Sequence, residues 1–374
     1  MTPVPPLVLL AKSRWRPTIR REHALALTAT GAGHAVSFVE APRDVRSVAD
    51  GGVRRWATAL ARPRIGTLDG VTVAARSTVV PGHRHRVAAR VDNGLLRHSA
   101  LAVAAGGPVV VCQVPWDWPA TAGIGSRRVF DCSDDWTALL PPARTRHLRG
   151  LLARIAAEAD AVVVVSPELA GLFTGRHVVT VPNGVEASLV AATPASPPSD
   201  RRLVHVGTFS ERFDVDLVDA LLTALPAWHL DLYGPCRYAG LGDRPAPALT
   251  DLLARHSRQA RWHGPIPRSG LAAAIDRADV VVIPNLRERS CGQSSMKLVD
   301  AAARGRPVVA SAGVWPAGGD APPPAYVEAT TVAEWVDAVT ATPPADAVAQ
   351  VGWAAERTWA RRWPAWADAV FADT

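Results

Sequence analysis

Apolar residues in this chain fall into short unbroken runs, separated by longer stretches where they recur every third or fourth place. Runs at residues 7–10, 35–39, 71–74, 109–112, 129–131, 161–165 and 177–181 predict strands buried on both faces, as in a parallel sheet. A helix is expected over residues 20–30, stopping near Gly31 and Gly33. Asn183-Gly184 predicts a turn, and residues 191–200, rich in Ala, Pro and Ser, read as a linker. The pattern then restarts, with strands at 203–206, 229–233, 260–263, 280–283 and 307–310 and a helix at 215–225. The expected fold is therefore α/β, with two doubly wound Rossmann-like domains, residues 1–185 and 186–350, facing each other across a cleft. Ligands bind such sheets at the carboxyl ends of the strands. Residues 351–374 read as a helix returning to the first domain. Its tryptophans, with Trp353 just before Trp359, Trp363 and Trp366, form a packed face, and Pro364 is expected to kink or break it.

Composition narrows the class. At 48% hydrophobic and 20% charged over 374 residues, the chain can bury two sizeable cores. The net charge of +7 is concentrated in the first half. That excess fits an anionic acceptor or peripheral contact with a membrane surface, and equally a solvated Arg-rich exterior. The arginines are scattered and no nucleic-acid-binding motif accompanies them, so no nucleic acid partner is expected. Cys112, Cys132, Cys236 and Cys291 show no metal spacing and read as reduced thiols of a cytoplasmic protein. No apolar run is long enough for a membrane span. The N-terminus lacks the charged and apolar regions of a signal peptide.

The segment 279–309 carries the clearest chemistry. It reads as strand, polar loop, helix and strand, with Lys297 and Asp300 three residues apart on the first helical turn, hence on one face. The chain has 41 Lys+Arg, of which only Lys12 and Lys297 are lysines. A lysine kept in so Arg-biased a chain points to use of its compact ammonium. A cation, the free N–H groups of a helix start and a carboxylate together suit a nucleotide diphosphate. No Gly-x-Gly-x-x-Gly follows either domain's first strand, which argues against a nicotinamide dehydrogenase. No Asp-x-Asp pair follows a strand, so neither a metal nor another cofactor is expected.

The residues also resemble a known group. Val181-Pro-Asn-Gly-Val185, Val206-Gly207-Thr-Phe, Tyr233-Gly234-Pro235, Trp262-His-Gly264-Pro-Ile-Pro267 and the stretch from Asp279 to Val309 are similar to the donor-binding half of glycosyltransferase family 4, enzymes of GT-B fold. Val129-Phe130-Asp131-Cys132-Ser133-Asp134-Asp135-Trp136 and Phe38-Val39-Glu40-Ala41-Pro42 are similar to a bacterial subgroup acting on cell-surface polymers and secondary metabolites. The resemblance is looser over residues 43–105. It also departs from the family pattern: Gly292 stands where a first glutamate is usual, Asp300 replaces the second, and Arg212 is the one cation kept in the loop after the second domain's first strand.

The resemblance implies a retaining, metal-independent glycosyltransferase with front-face attack. It would move a sugar from a UDP- or GDP-type nucleotide diphosphate sugar to a small-molecule, lipid or polymer acceptor. Lys297, Arg212 and the N–H groups near Ser294 and Ser295 are assigned to the diphosphate and Asp300 to the ribose. The nucleotide base is expected between Gly234-Pro235 and Gly264-Pro265-Ile266, with Gly207 beside the diphosphate. Asp134 would orient the acceptor nucleophile, with Lys12, Arg14, Trp15 and Asp135 on the acceptor side. A GT-B nucleotide-sugar epimerase and a catalytically weak GT-B partner subunit stay open as alternatives.

Overall fold

Each apolar run needs cover on both faces, and two sheets flanked by helices supply it. The computed structural model describes all residues except 1–3, 16–18, 44–61, 79–85, 140–141, 176, 196, 239–240, 242–243, 291, 317, 342–345 and 373–374. Cys291, which entered the reading above, lies outside the described residues. The chain divides into two compact units, Met1–Pro182 with Arg362–Thr374, and Asn183–Arg361.

In the first unit the strands are β1 Leu7–Leu10, β2 Val36–Val39, β3 Arg64–Leu68, β4 Val71–Ala75, β5 Val109–Cys112, β6 Arg127–Cys132, β7 Ala161–Val164 and β8 Val178–Thr180. Their order in the sheet is β3-β4-β2-β1-β5-β6-β7-β8. Every pairing is parallel except β3 with β4, an antiparallel hairpin. All four residues of β1 are buried. Trp118, Phe130 and Phe173 belong to the core cluster on one face of the sheet. Truncating such a side chain to Ala costs ~3–5 kcal/mol.

The second unit's strands are β9 Arg202–Val206, β10 His229–Tyr233, β11 Ala260–Gly264, β12 Val280–Ile283, β13 Val308–Ser311 and β14 Tyr326–Ala329. They form one all-parallel sheet ordered β11-β10-β9-β12-β13-β14. The chain order reverses at β9 and β12, so their carboxyl ends bound a switch-point crevice.

Three local expectations need correction. Asn183-Gly184 forms no turn. Instead Val185 bridges Thr358, and Trp359 packs where a Gly184 side chain would project. The tail is two helices, Ala347–Ala355 and Trp359–Phe371. The second runs on through Pro364. His34 stacks on Phe371 at 4.2 Å and meets Trp363 edge-on at 5.6 Å, while Trp366 is fully buried. This packing offsets the lost backbone bond.

Candidate active site

Three glycines close the carboxyl ends of β9, β10 and β11. The Gly207 N–H donates to Tyr233 O at 2.8 Å and the Gly234 N–H to Gly264 O at 2.8 Å. Trp262 Nε1 donates to Gly234 O at 3.0 Å. Gly207 is also crossed by a side chain, since a Cβ added there would lie 2.2 Å from Lys297 Cε and 2.8 Å from its Nζ. Glycine is needed at 207 because the lysine occupies that space.

Lys297 comes from the helix Met296–Ala303, which starts after the N-cap Ser295. Buried Leu298, Val299, Ala301, Ala302 and Ala303 fix the helix against the sheet. The loop before it is held by Asn183, whose backbone N–H donates to Ser294 Oγ at 3.0 Å and whose Nδ2 donates to Ser294 O at 2.6 Å. The Ser294 hydroxyl oxygen therefore already accepts a bond from the protein. Ser295 makes no side-chain capping bond.

Lys297 and Asp300 line one small cavity with Val206, Leu271, Ile275, Val281, Val282 and Ile283. Burial pushes the Lys297 ammonium down to about 8, and the neighbouring charge of Arg212 adds to this. No carboxylate among the described residues lies within ion-pairing distance of Lys297. Burial raises the Asp300 carboxyl to about 7, with Arg268 opposing the shift. Among the described residues nothing hydrogen-bonds the Asp300 side chain. Both groups thus carry charge at a cost that a bound partner of opposite polarity would offset.

Arg212 sits in the loop after β9, where Leu286 N–H donates to its carbonyl at 2.8 Å. With the Gln293 amide turned so that its oxygen faces Arg212, that oxygen accepts from Nη1 at 2.5 Å and Nη2 at 2.8 Å. Asp214 N-caps the helix Val215–Ala224, accepting from Leu217 N–H at 3.0 Å. Ile266 packs against the apolar cluster that contains Leu298 and Ala301. His205, fully buried on β9, donates from Nδ1 to Val282 O at 2.8 Å and stays neutral, since burial pushes it down to about 3.

The first unit gathers a second polar group. Lys12 Nζ donates to Ser133 Oγ at 2.6 Å and ion-pairs Asp134 Oδ2 at 2.9 Å. Ser13 Oγ donates to Glu22 Oε1 at 2.5 Å. Burial opposes the Glu22 charge, but Lys12, His23, Arg20 and the Ser13 hydroxyl together outweigh it and hold the carboxyl below its ordinary value. The Asp131 carboxylate is taken up internally, held by Arg21 Nε and Nη2 and by Gln113 Nε2 at 3.0 Å. Asp135 accepts from the Thr137 N–H at 2.8 Å and Oγ1 at 2.6 Å, capping the turn Trp136–Leu139. That is a structural use of its side chain. Trp15 is wedged edge-on between His23 and Phe38, and its backbone N–H donates to Glu40 Oε1 at 2.7 Å. Arg14 donates to Pro42 O at 3.3 Å.

In the second unit the structure therefore brings together Gly207, Arg212, Gly234, Gly264, Ser294, Ser295, Lys297 and Asp300. In the first, it joins Lys12 to Asp134, while Arg14, Trp15 and Asp135 serve the local loops. The sequence reading missed Arg268, Gln293 and the Asn183 anchor. Only Asn183 had a visible signal, lying within a quoted motif.

Residues 200–342 match the family model described as Glycosyl transferases group 1. Arg212, Arg268, Lys297 and Asp300 all fall inside that match. The chain matches no curated protein. Its structure is similar to sucrose-phosphate synthase from Thermosynechococcus elongatus, at 15% identity and TM-score 0.68, covering 98% of this chain and 95% of that one. It is also similar to Anabaena Alr3699/HepE (15%, TM-score 0.68, 99% and 100% covered). A third similar structure is the UDP-forming alpha,alpha-trehalose-phosphate synthase from Burkholderia vietnamiensis (12%, TM-score 0.69, 99% and 98% covered). The similar structures show the GT-B fold, and residues 200–342 resemble Glycosyl transferases group 1. Among the described residues, no helix is long and apolar enough to cross a membrane, and no three His, Cys, Asp or Glu side chains cluster as metal ligands would.

Proposed function

We propose that this glycosyltransferase binds a nucleoside diphosphate sugar at the strand ends of its second unit and transfers the sugar, with retention, to a hydroxyl or amine. One observation carries the reading: Lys297, partly buried beside Arg212 at a helix start, has no carboxylate partner among the described residues. Two neighbouring cations repel unless an anion lies between them, and a diphosphate supplies that charge. The Met296 and Lys297 N–H groups at the helix start add donors. Asp300, one turn on, would accept from the ribose.

In the reaction, the bond from the anomeric carbon to the phosphate oxygen breaks and a bond to the acceptor heteroatom forms. Charge then grows on the departing diphosphate, where Lys297 and Arg212 stabilise it. Front-face attack lets that phosphate take the nucleophile's proton. Asp134, kept in place by Lys12, would orient the acceptor. With the cations in this role no divalent ion is required, and activity is expected to survive excess chelator. The buried, unpaired Cys112, Cys132 and Cys236 suit a cytoplasmic site.

The similar HepE structure is a complex with UDP and glucose, so UDP-glucose is the first donor to try. A panel of nucleotide sugars is screened by thermal shift, and those that bind are then mixed with candidate acceptors. Proton NMR of the product reads the anomeric configuration. Retention supports the proposal, inversion contradicts its stereochemistry, and a shift with no nucleotide sugar contradicts donor binding.

A further inference from the structure

Arg268 lies on the 3₁₀ turn Arg268–Gly270, directly after Pro267. Its Nη2 forms an ion pair with Glu186 Oε2, while Glu186 Oε1 is buried without a hydrogen-bond partner. Val185, Leu271, Ala272 and Val299 pack into one apolar cluster. Glu186 follows the first of these and Asp300 the last, while Leu271, three residues after Arg268, lines one cavity with Asp300. The geometry points to Arg268 as a positioning residue for the donor: anchored by Glu186, its guanidinium supplies the positive charge beside the cavity in which Asp300 would take up the ribose. This rests on the reading of Asp300 as the ribose partner.

The other elements around Asp300 supply few competing charges. On its own helix, Lys297 stands one turn earlier and Arg304 one turn later, the latter paired with Asp276 at 2.6 Å. Arg212 faces Lys297 from the loop after β9. The helix Ala347–Ala355 and strands β12 and β13 carry no ionisable side chain. Burial raises Asp300 and lowers Arg268, and each group's charge partly opposes the other's shift. A guanidinium suits this task because it stays charged at every working pH.

The test is the pH dependence of donor binding, read by calorimetry with UDP-glucose and GDP-mannose, using whichever binds. Their diphosphate diesters do not titrate between pH 5.5 and 8.5. Wild-type affinity is expected to rise with pH as Asp300 ionises and to fall again as Lys297, held at about 8, loses its proton; comparing variant with wild type at each pH isolates the Asp300 limb. In Arg268→Gln the midpoint of that rise should move up by about one pH unit, the effect of one close opposite charge. Because apparent affinity scales with the competent fraction, the variant should bind about eightfold weaker at pH 6.5 but within about twofold of wild type at pH 8.5. Arg268→Lys should return the midpoint toward wild type. Glu186→Gln, which keeps an acceptor for Arg268 but removes the competing charge, should move it down. An unmoved midpoint in Arg268→Gln, or an equal loss at every pH, overturns the inference, as does an upward move in Glu186→Gln. Asp300→Asn separates the two layers: if it binds like wild type at every pH, the ribose reading itself fails.

Discussion

Gly207 has no side chain because Lys297 lies where one would project. Gly207→Ala should therefore displace the end of a flexible lysine rather than break the sheet. The expected result is a change in Tm of only a few degrees with at least tenfold weaker donor binding, read by calorimetry and thermal melts. A large loss of stability with normal affinity in the folded fraction contradicts this. Asp300 shows the opposite pattern. Its folded-state carboxyl is raised to about 7, so the native protein holds a proton that the unfolded chain releases near pH 4. Stability from this group is full below that pH and is lost as pH rises through about 7. Asp300→Asn should hence be more stable than wild type by about 1–3 kcal/mol at pH 8, with the gap vanishing near pH 4, while binding the donor more weakly. Equal melting curves at pH 8 argue that the carboxylate is not desolvated. That Lys297 and Asp300 share a face was legible from spacing, since helical geometry fixes it, whereas the ribose role proposed for Asp300 came from the family resemblance. Arg268 was not legible, because its partners come from distant chain segments. The Gly292 departure also has a local reason: φ is +74° there, a conformation costly for glutamate.

The strands were readable because burial on both faces leaves an unbroken apolar run, and observed ends differ from the expected ones by one or two residues. Two strands escaped. All five residues of β3 are exposed, so it carries no apolar run, and its pairing is set by the Asp69-Gly70 turn with φ of +52° and +79°. β14 is a short edge strand whose middle residues face solvent. The Asn183-Gly184 signal misled because the asparagine's backbone N–H and side-chain amide both bond Ser294. The start of the Lys297 helix thus depends on one side chain far away in sequence. Asn183→Ala should cost ~1–3 kcal/mol through the unsatisfied carbonyl of Ser294 and loosen the donor site. Chemical denaturation and donor affinity check both, and a stable variant with unchanged affinity would show that the loop holds itself.

Taken whole, the molecule places one of its two lysines in each unit. Lys297 was legible as chemistry, whereas the partnership of Lys12 with Asp134 required the fold, since the two follow different strands. If Lys12 serves the acceptor through Asp134, Lys12→Met should leave donor affinity within about twofold while lowering kcat/KM for the acceptor by ~10-fold or more, as expected of a lost orienting charge. Donor and acceptor parameters falling together would contradict that division of labour. The central claim is that Lys297 holds the donor diphosphate. It is tested most directly by titrating wild type and Lys297→Ala with the nucleotide sugar that wild type binds, at pH 7, where the ammonium is mostly charged. The account predicts affinity lower by ~10²-fold in the variant, the loss of a charge-assisted contact in a largely dry site. Equal affinity in the two proteins would contradict it.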